Sequence, residues 1–202
     1  MLHMIQQGTI SMTISKTFPL TLLLITLAAS HTTGACAQGL RLEAHGGWDR
    51  AQSDGVKSDG LLYGLGVGYD IKLGKQLFAG VEANADFSSA RECATSIIAA
   101  GDRLCVRAGR DISLIARAGI EVKPGSSLYA LAGWTNARVR GEYKPATGPV
   151  INEAQNIDGW RIGAGFQQEL GKRLYAKLEY RYSDYDAGDN RHQVVAGFGI
   201  RF

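Results

Sequence analysis

Ser183, Asp189 and His192 stand within one short stretch near the C-terminus. A hydroxyl, a carboxylate and an imidazole are the parts of a nucleophilic acyl-transfer site, provided that nucleophile, base and orienter meet in space. A second chemistry is offered by Arg41, Glu43, Glu82, Asp86, Arg117, Glu121, Arg161, Glu169, Lys177, Glu179 and Arg181, charged residues that recur on one side of an alternating pattern. Carboxylates so placed could do acid–base work or line an ion path, but structural ion-pair networks use the same residues. Cys93 and Cys105 offer a third. Two cysteines without a nearby histidine or second cysteine pair make a poor zinc site; in an exported chain a disulfide is the simpler outcome. Arg91, Arg103, Arg107 and Arg110 surround that pair, and clustered guanidinium groups grip phosphate through paired hydrogen bonds. The acids at Asp49, Asp54 and Asp59, and at Asp184, Asp186 and Asp189, are spaced too irregularly for a calcium loop. Gly64, Gly66 and Gly68 lack the following helix of a phosphate loop. No metal or cofactor is expected.

The elements that position these groups begin with a leader. Residues 1–37 hold no acid and a single base, Lys16, ahead of the apolar run 18–29. That run falls short of the roughly 20 residues of a spanning helix. It reads as a secretory signal peptide cleaved before Gln38, with Ala35, Cys36 and Ala37 as the small-residue site. Met12 is an alternative start, and a lipid anchor at Cys36 is disfavoured because Thr33 stands where that motif takes a large aliphatic residue. Residues 38–202 then form one domain. They carry 21 basic and 19 acidic residues, since Lys16 is the leader's one charge. A near-balanced total gives no argument for nucleic acid.

Past the leader, alternation with period two recurs in segments of roughly ten residues, a pattern of membrane-spanning strands. Residues 174–183 set Leu174, Ala176, Leu178, Tyr180 and Tyr182 against Tyr175, Lys177, Glu179, Arg181 and Ser183. Similar segments cover 40–48, 62–71, 77–87, 112–122, 127–139, 160–170 and 191–202, eight in all. The fifth breaks step at Val139, which predicts a bulge or an early exit into a loop. Connections alternate in length: tight near Gly74, Gly125 and Gly171, long over about 50–60, 88–110, 140–158 and 184–190. Outer-membrane barrels show this rhythm, with the short turns periplasmic. Trp48, Tyr63, Tyr69, Phe87, Trp160, Tyr180 and Tyr182 gather near strand ends on the apolar face, as interfacial girdles do. A soluble sandwich shares the alternation but not the rhythm or the girdles.

The polar face becomes the inner wall of a barrel just wide enough for side chains to fill it. The eleven charged residues above would point inward and pair, because an unpaired buried charge is very costly. Glycines at 64, 66, 68, 163, 165, 197 and 199 leave room for them. The expectation is a filled, salt-bridged lumen.

The final segment, RHQVVAGFGIRF, resembles the closing strand of a bacterial outer-membrane barrel. Gly197, Ile200 and Phe202 match the signal that the insertion machinery reads, while Val195 stands where a polar residue is usual. With the leader, eight segments and loop rhythm, residues 38–202 resemble the family of small barrels that includes opacity-type surface antigens and the barrel domain of OmpA. The resemblance implies an all-β, eight-stranded, antiparallel up-and-down transmembrane barrel. It implies a non-enzymatic, porin-like surface protein that supports envelope integrity, adhesion or host contact. The partners implied are membrane lipid and lipopolysaccharide, the assembly machinery, and an external ligand or host surface. Unlike OmpA, no peptidoglycan-binding domain follows. Other barrels of this size deacylate or palmitoylate lipid A, but the His-x-Ser pairing of the deacylases is absent at His192. A narrow channel and a lipid A-modifying enzyme are the alternatives.

Overall fold

The computed structural model describes residues 39–53, 56–186 and 188–202; the leader and Asp54 lie outside them. The regular elements among the described residues are strands: β1 (Leu40–Ser53), β2 (Val56–Lys72), β3 (Leu77–Ser88), β4 (Arg91–Thr95), β5 (Arg103–Lys123), β6 (Ser126–Lys144), β7 (Ile151–Glu169), β8 (Leu174–Tyr185) and β9 (Asn190–Arg201). They are hydrogen-bonded in the order β3-β2-β1-β9-β8-β7-β6-β5-β4, and β3 also pairs antiparallel with β5. That last seam closes an eight-stranded ring and leaves β4 outside it. The ninth strand lies in the expected 88–110 loop, where β4 pairs with the upper part of β5.

Three further differences from the sequence expectation share one cause. β5 has 21 residues, and β6 and β7 have 19 each, whereas about 9–11 residues cross a membrane. The supposed loop 140–158 is therefore mostly strand, paired up to Tyr143 opposite Ile151. Every backbone amide needs a partner, and an antiparallel ladder supplies one for as long as it continues. Val139 neither bulges nor exits. The irregularity lies in its neighbour, where β5 spends one extra residue between Ala108 and Asp111. Below that bulge odd-numbered β5 residues such as Asp111, Ser113 and Arg117 are buried; above it the parity reverses.

Burial is inverted relative to a water-soluble protein. Leu61, Leu65 and Phe198 are 66–70% exposed, while Arg41, Arg161 and Arg181 are at most 1% exposed. An apolar surface of this extent is stable only against hydrocarbon. Tight turns hold the opposite end, with Gly74 at φ 103° and Gly125 at φ 78°, a left-handed region that a Cβ disfavours.

Gly68 is needed for space. It pairs with Arg41 across β1 and β2, and a Cβ there would meet the Arg41 Cζ at 2.7 Å. A Gly68→Leu variant is expected to lose about 1–3 kcal/mol through overpacking. Urea unfolding followed by the heat-dependent mobility shift on gels should show its midpoint displaced downward.

Candidate functional site

Inward-facing residues from every ring strand meet in one network. Near the turn end, Asp70 of β2 receives Arg41 at 3.1 Å and Arg117 at 2.7 Å. Arg41 also reaches Glu82 at 2.6 Å, and Arg117 donates to Gln167 at 3.1 Å. In the middle, Glu179 takes Arg181 at 2.6 Å, Lys177 at 3.1 Å and the Tyr129 hydroxyl at 2.8 Å. Lys177 bridges to Glu43, which also accepts the Tyr175 hydroxyl at 3.0 Å. His45 places its Nε2 2.6 Å from Asp86 and its Nδ1 3.3 Å from Glu43. At the outer end, Arg161 meets Asp111 at 2.6 Å and Ser183 at 2.8 Å. Arg191 ties Asp49 to Asp111.

The buried acids of this lumen are Glu43, Asp49, Glu82, Asp86, Asp111 and Glu179; the buried cations are Arg41, Arg117, Arg161, Lys177, Arg181 and Arg191. The two sets are equal in number; Asp70, partly exposed at the turn end, adds one acid that Arg41 and Arg117 also hold. Each group has partners close enough to offset the desolvation that an isolated charge would suffer.

Nine of the eleven residues expected inward lie in this network, and two do not. Glu121 accepts the Gly125 amide at 3.0 Å within a turn, and the exposed Glu169 pairs with Arg201 at 2.8 Å. Both have inward parity but sit at the rim, beyond the packed section. Conversely, Asp49 is not an outer-loop acid: it is fully buried, holding Arg191 and Gln193. Asp70 and Arg191 had visible inward parity, whereas Asp111 fell at the edge of an expected loop.

Ser183, Asp189 and His192 are not brought together. Ser183 is fully buried in the lumen beneath Arg161. His192 lies across the sheet from Tyr182, with its Nδ1 2.7 Å from the Tyr180 hydroxyl and its ring 5.1 Å from that of Tyr182. On the closing strand, Gly197 faces the His45 Cβ, Ile200 and Phe202 are exposed, and the Phe202 amide donates to the Leu40 carbonyl at 2.8 Å.

Outside the ring, Cys93 and Cys105 form a disulfide between directly paired positions of β4 and β5. The Arg91 guanidinium lies 3.2 Å and 3.3 Å from the two sulfurs. The hairpin tip turns on Asp102, a residue without any signal in the spacing. Its carboxylate accepts the amides of Ile97, Ile98 and Ala99 at 2.7–2.9 Å and the Tyr143 hydroxyl at 3.1 Å. Ile98 remains 79% exposed.

A sequence-family profile described as an outer membrane protein beta-barrel domain matches residues 20–202. The chain belongs to the outer-membrane β-barrel family. It is 27% identical over 159 residues to the 25 kDa outer-membrane immunogenic protein of Brucella ovis, covering 77% of this chain and 72% of that one. The Brucella abortus counterpart is 27% identical over 158 residues, covering 77% and 66%. Among solved structures, the attachment invasion locus protein Ail of Yersinia pestis, in complex with the heparin analogue sucrose octasulfate, aligns with TM-score 0.57 at 18% identity. That alignment covers 82% of this chain and 99% of Ail. Neisserial surface protein A aligns with TM-score 0.56 at 14% identity, covering 81% and 97%. These structural likenesses establish the fold. The family assignment places this barrel in the outer membrane.

Two outcomes follow from the geometry. Arg181→Met removes a buried partner from both Glu179 and Asp86, and removing one partner of a buried pair costs about 3–5 kcal/mol. Arg50→Ala, which breaks the exposed pair with Asp59 at 2.8 Å and an exposed contact with the Trp48 ring, should barely move the urea midpoint. At the tip, the Ala99 amide first, then those of Ile98 and Ile97 and the Tyr143 hydroxyl, hold the Asp102 carboxyl below its ordinary 3.8 against the opposing desolvation. A depressed carboxylate contributes fully above its unfolded value, and that contribution is lost as pH falls through the lowered one. The Ile97–Ala99 amide resonances should therefore titrate together with a midpoint below 3.8, and Asp102→Asn should abolish the transition.

Proposed function

We propose that this barrel is a surface-interaction protein whose lumen is structural and whose work is done by the stapled hairpin above the membrane. The single observation that carries this reading is a row of like charges. Arg91 of β4 pairs in register with Arg107 of β5, which pairs in register with Arg140 of β6. Four residues further out along both strands, Arg103 stands opposite Lys144. Directly opposed like charges destabilise a sheet, and only Glu142, 3.4 Å from Arg107, intervenes. The β5 bulge keeps Arg110 on the same flank, where it donates to Asn156 at 3.4 Å.

Such a strip is suited to phosphate or sulfate groups, which guanidinium forks bind through paired, charge-assisted hydrogen bonds. The first candidate is lipopolysaccharide of the barrel's own leaflet, contacted by Arg103, Arg107 and Arg110; a sulfated host polysaccharide is the other source. The leader at 1–37 would direct export. Gly197, Ile200 and Phe202 would present the closing strand to the assembly machinery. The tightly paired lumen favours no ion path, and the separation of Ser183 from His192 removes the acyl-transfer arrangement considered above.

The test uses the barrel in lipid nanodiscs, with purified lipopolysaccharide in one arm and sucrose octasulfate in the other. Binding should weaken at least tenfold in a triple Arg103→Ser, Arg107→Ser, Arg140→Ser variant and fall steeply with salt. Salt-independent binding, or none to either probe, would sink the reading. Single-channel recordings in planar bilayers should stay silent; discrete openings would favour the channel instead.

A further inference from the structure

Above Asp49, Asp111 and Arg191 the inside of the barrel changes character. A cavity of about 480 Å³ opens there, within the roughly 300–1,000 Å³ of small-molecule sites. Tyr185 and Ala137 form its floor, and Ala94, Leu104, Val106 and Val139 its walls. The bulge between Ala108 and Asp111 builds one wall. By reversing the parity of β5 it brings Leu104 and Val106 to the side that Ser113 and Arg117 occupy lower down. The opposite face of the same hairpin carries the disulfide.

Apolar side chains around a concave space beyond the membrane are unfavourable in contact with water, and a matching apolar occupant relieves that cost. The charged residues at its edge, Arg138, Glu92 and Asp189, are of mixed sign, and Arg191 beneath is committed to Asp49 and Asp111, so the site offers no surplus positive charge to an anionic head.

We propose that the mouth cavity binds a single-chain amphiphile, an unbranched acyl or alkyl chain that fills the apolar cup and keeps its uncharged hydroxyl or amide head in the open mouth. The site is separate from the basic strip, which lies on the outer flank of the same strands.

The probe is 1-decanol carrying a terminal diazirine, added to the barrel purified from outer membranes and placed in lipid nanodiscs. After photolysis, mass spectrometry should find label between Ala94 and Val106 as well as on the lipid-facing belt around Leu65 and Phe198. Ala94→Trp and Ala137→Phe, which fill the space, should cut the mouth label at least tenfold and leave the belt label unchanged. Heat-dependent gel mobility reports folding. Should Ala137→Phe not fold, Ala94→Trp, on the hairpin outside the ring, carries the same test. In an alkanol series from six to twelve carbons, the concentration for half-maximal mouth labelling should fall roughly fourfold per methylene. Delivery from water and preloading in the bilayer separate a soluble amphiphile from a membrane lipid. Label confined to the belt, or a mouth label unchanged by Ala94→Trp, would overturn the proposal.

Discussion

Glu179 is held by Arg181, Lys177 and the Tyr129 hydroxyl, and that kind of multiple pairing is the constraint on which the structure depends. Charges within a lipid-bounded wall cannot be left unpartnered, because the penalty for one exceeds the stabilisation of most other contacts. Long arginines must therefore lie flat across the lumen, and the wall opposite must yield space. Gly68 yields it to Arg41, and Gly199 yields it to the Tyr175 ring. The result is a close-packed plug of paired charges formed by the barrel's own side chains.

With the lumen plugged, the proposed site of action is the outer end. There the strands continue well past the length that hydrocarbon requires, and a single extra residue in β5 reorganises what they present. Below the bulge the inward face is charged; above it that face is apolar and the outward flank is basic. One backbone irregularity thus separates the charged lumen from the section proposed to interact. The disulfide and the Asp102 carboxylate order the hairpin up to its tip, which reduces the entropy lost when a partner is engaged.

Much of this was legible before any coordinates. Period-two alternation, the loop rhythm and the aromatic placement lead to eight antiparallel ring strands, because a strand that faces lipid on one side and a lumen on the other has no freedom in its pattern. Parity also held the answer for the acyl-transfer trio: Ser183 shares the side of Lys177 and Arg181, and His192 shares that of Phe198 and Ile200. What parity lacks is depth. Glu121 and Glu169 carry the inward signal yet sit at the rim, and Asp49 looked like a loop acid yet is buried. The short strand β4 shows no alternation because both of its faces stand beyond the membrane, where neither is compelled to be apolar.

The sequence by itself determined which side of the wall each residue occupies, since that depends only on the two-residue repeat of an extended chain. It also determined which cysteines were available to pair. Which charges meet was decided by the closed ring alone. Glu43 and Tyr175 lie 132 residues apart, and Asp49 and Arg191 lie 142 apart. Their contact follows from the stagger between strands and from the β1–β9 seam that closes the sheet. The cavity at the mouth likewise exists only in the closed ring, because the β4–β5 hairpin is joined there by Ala137 and Val139 of β6, Ile157 of β7 and Tyr185 of β8.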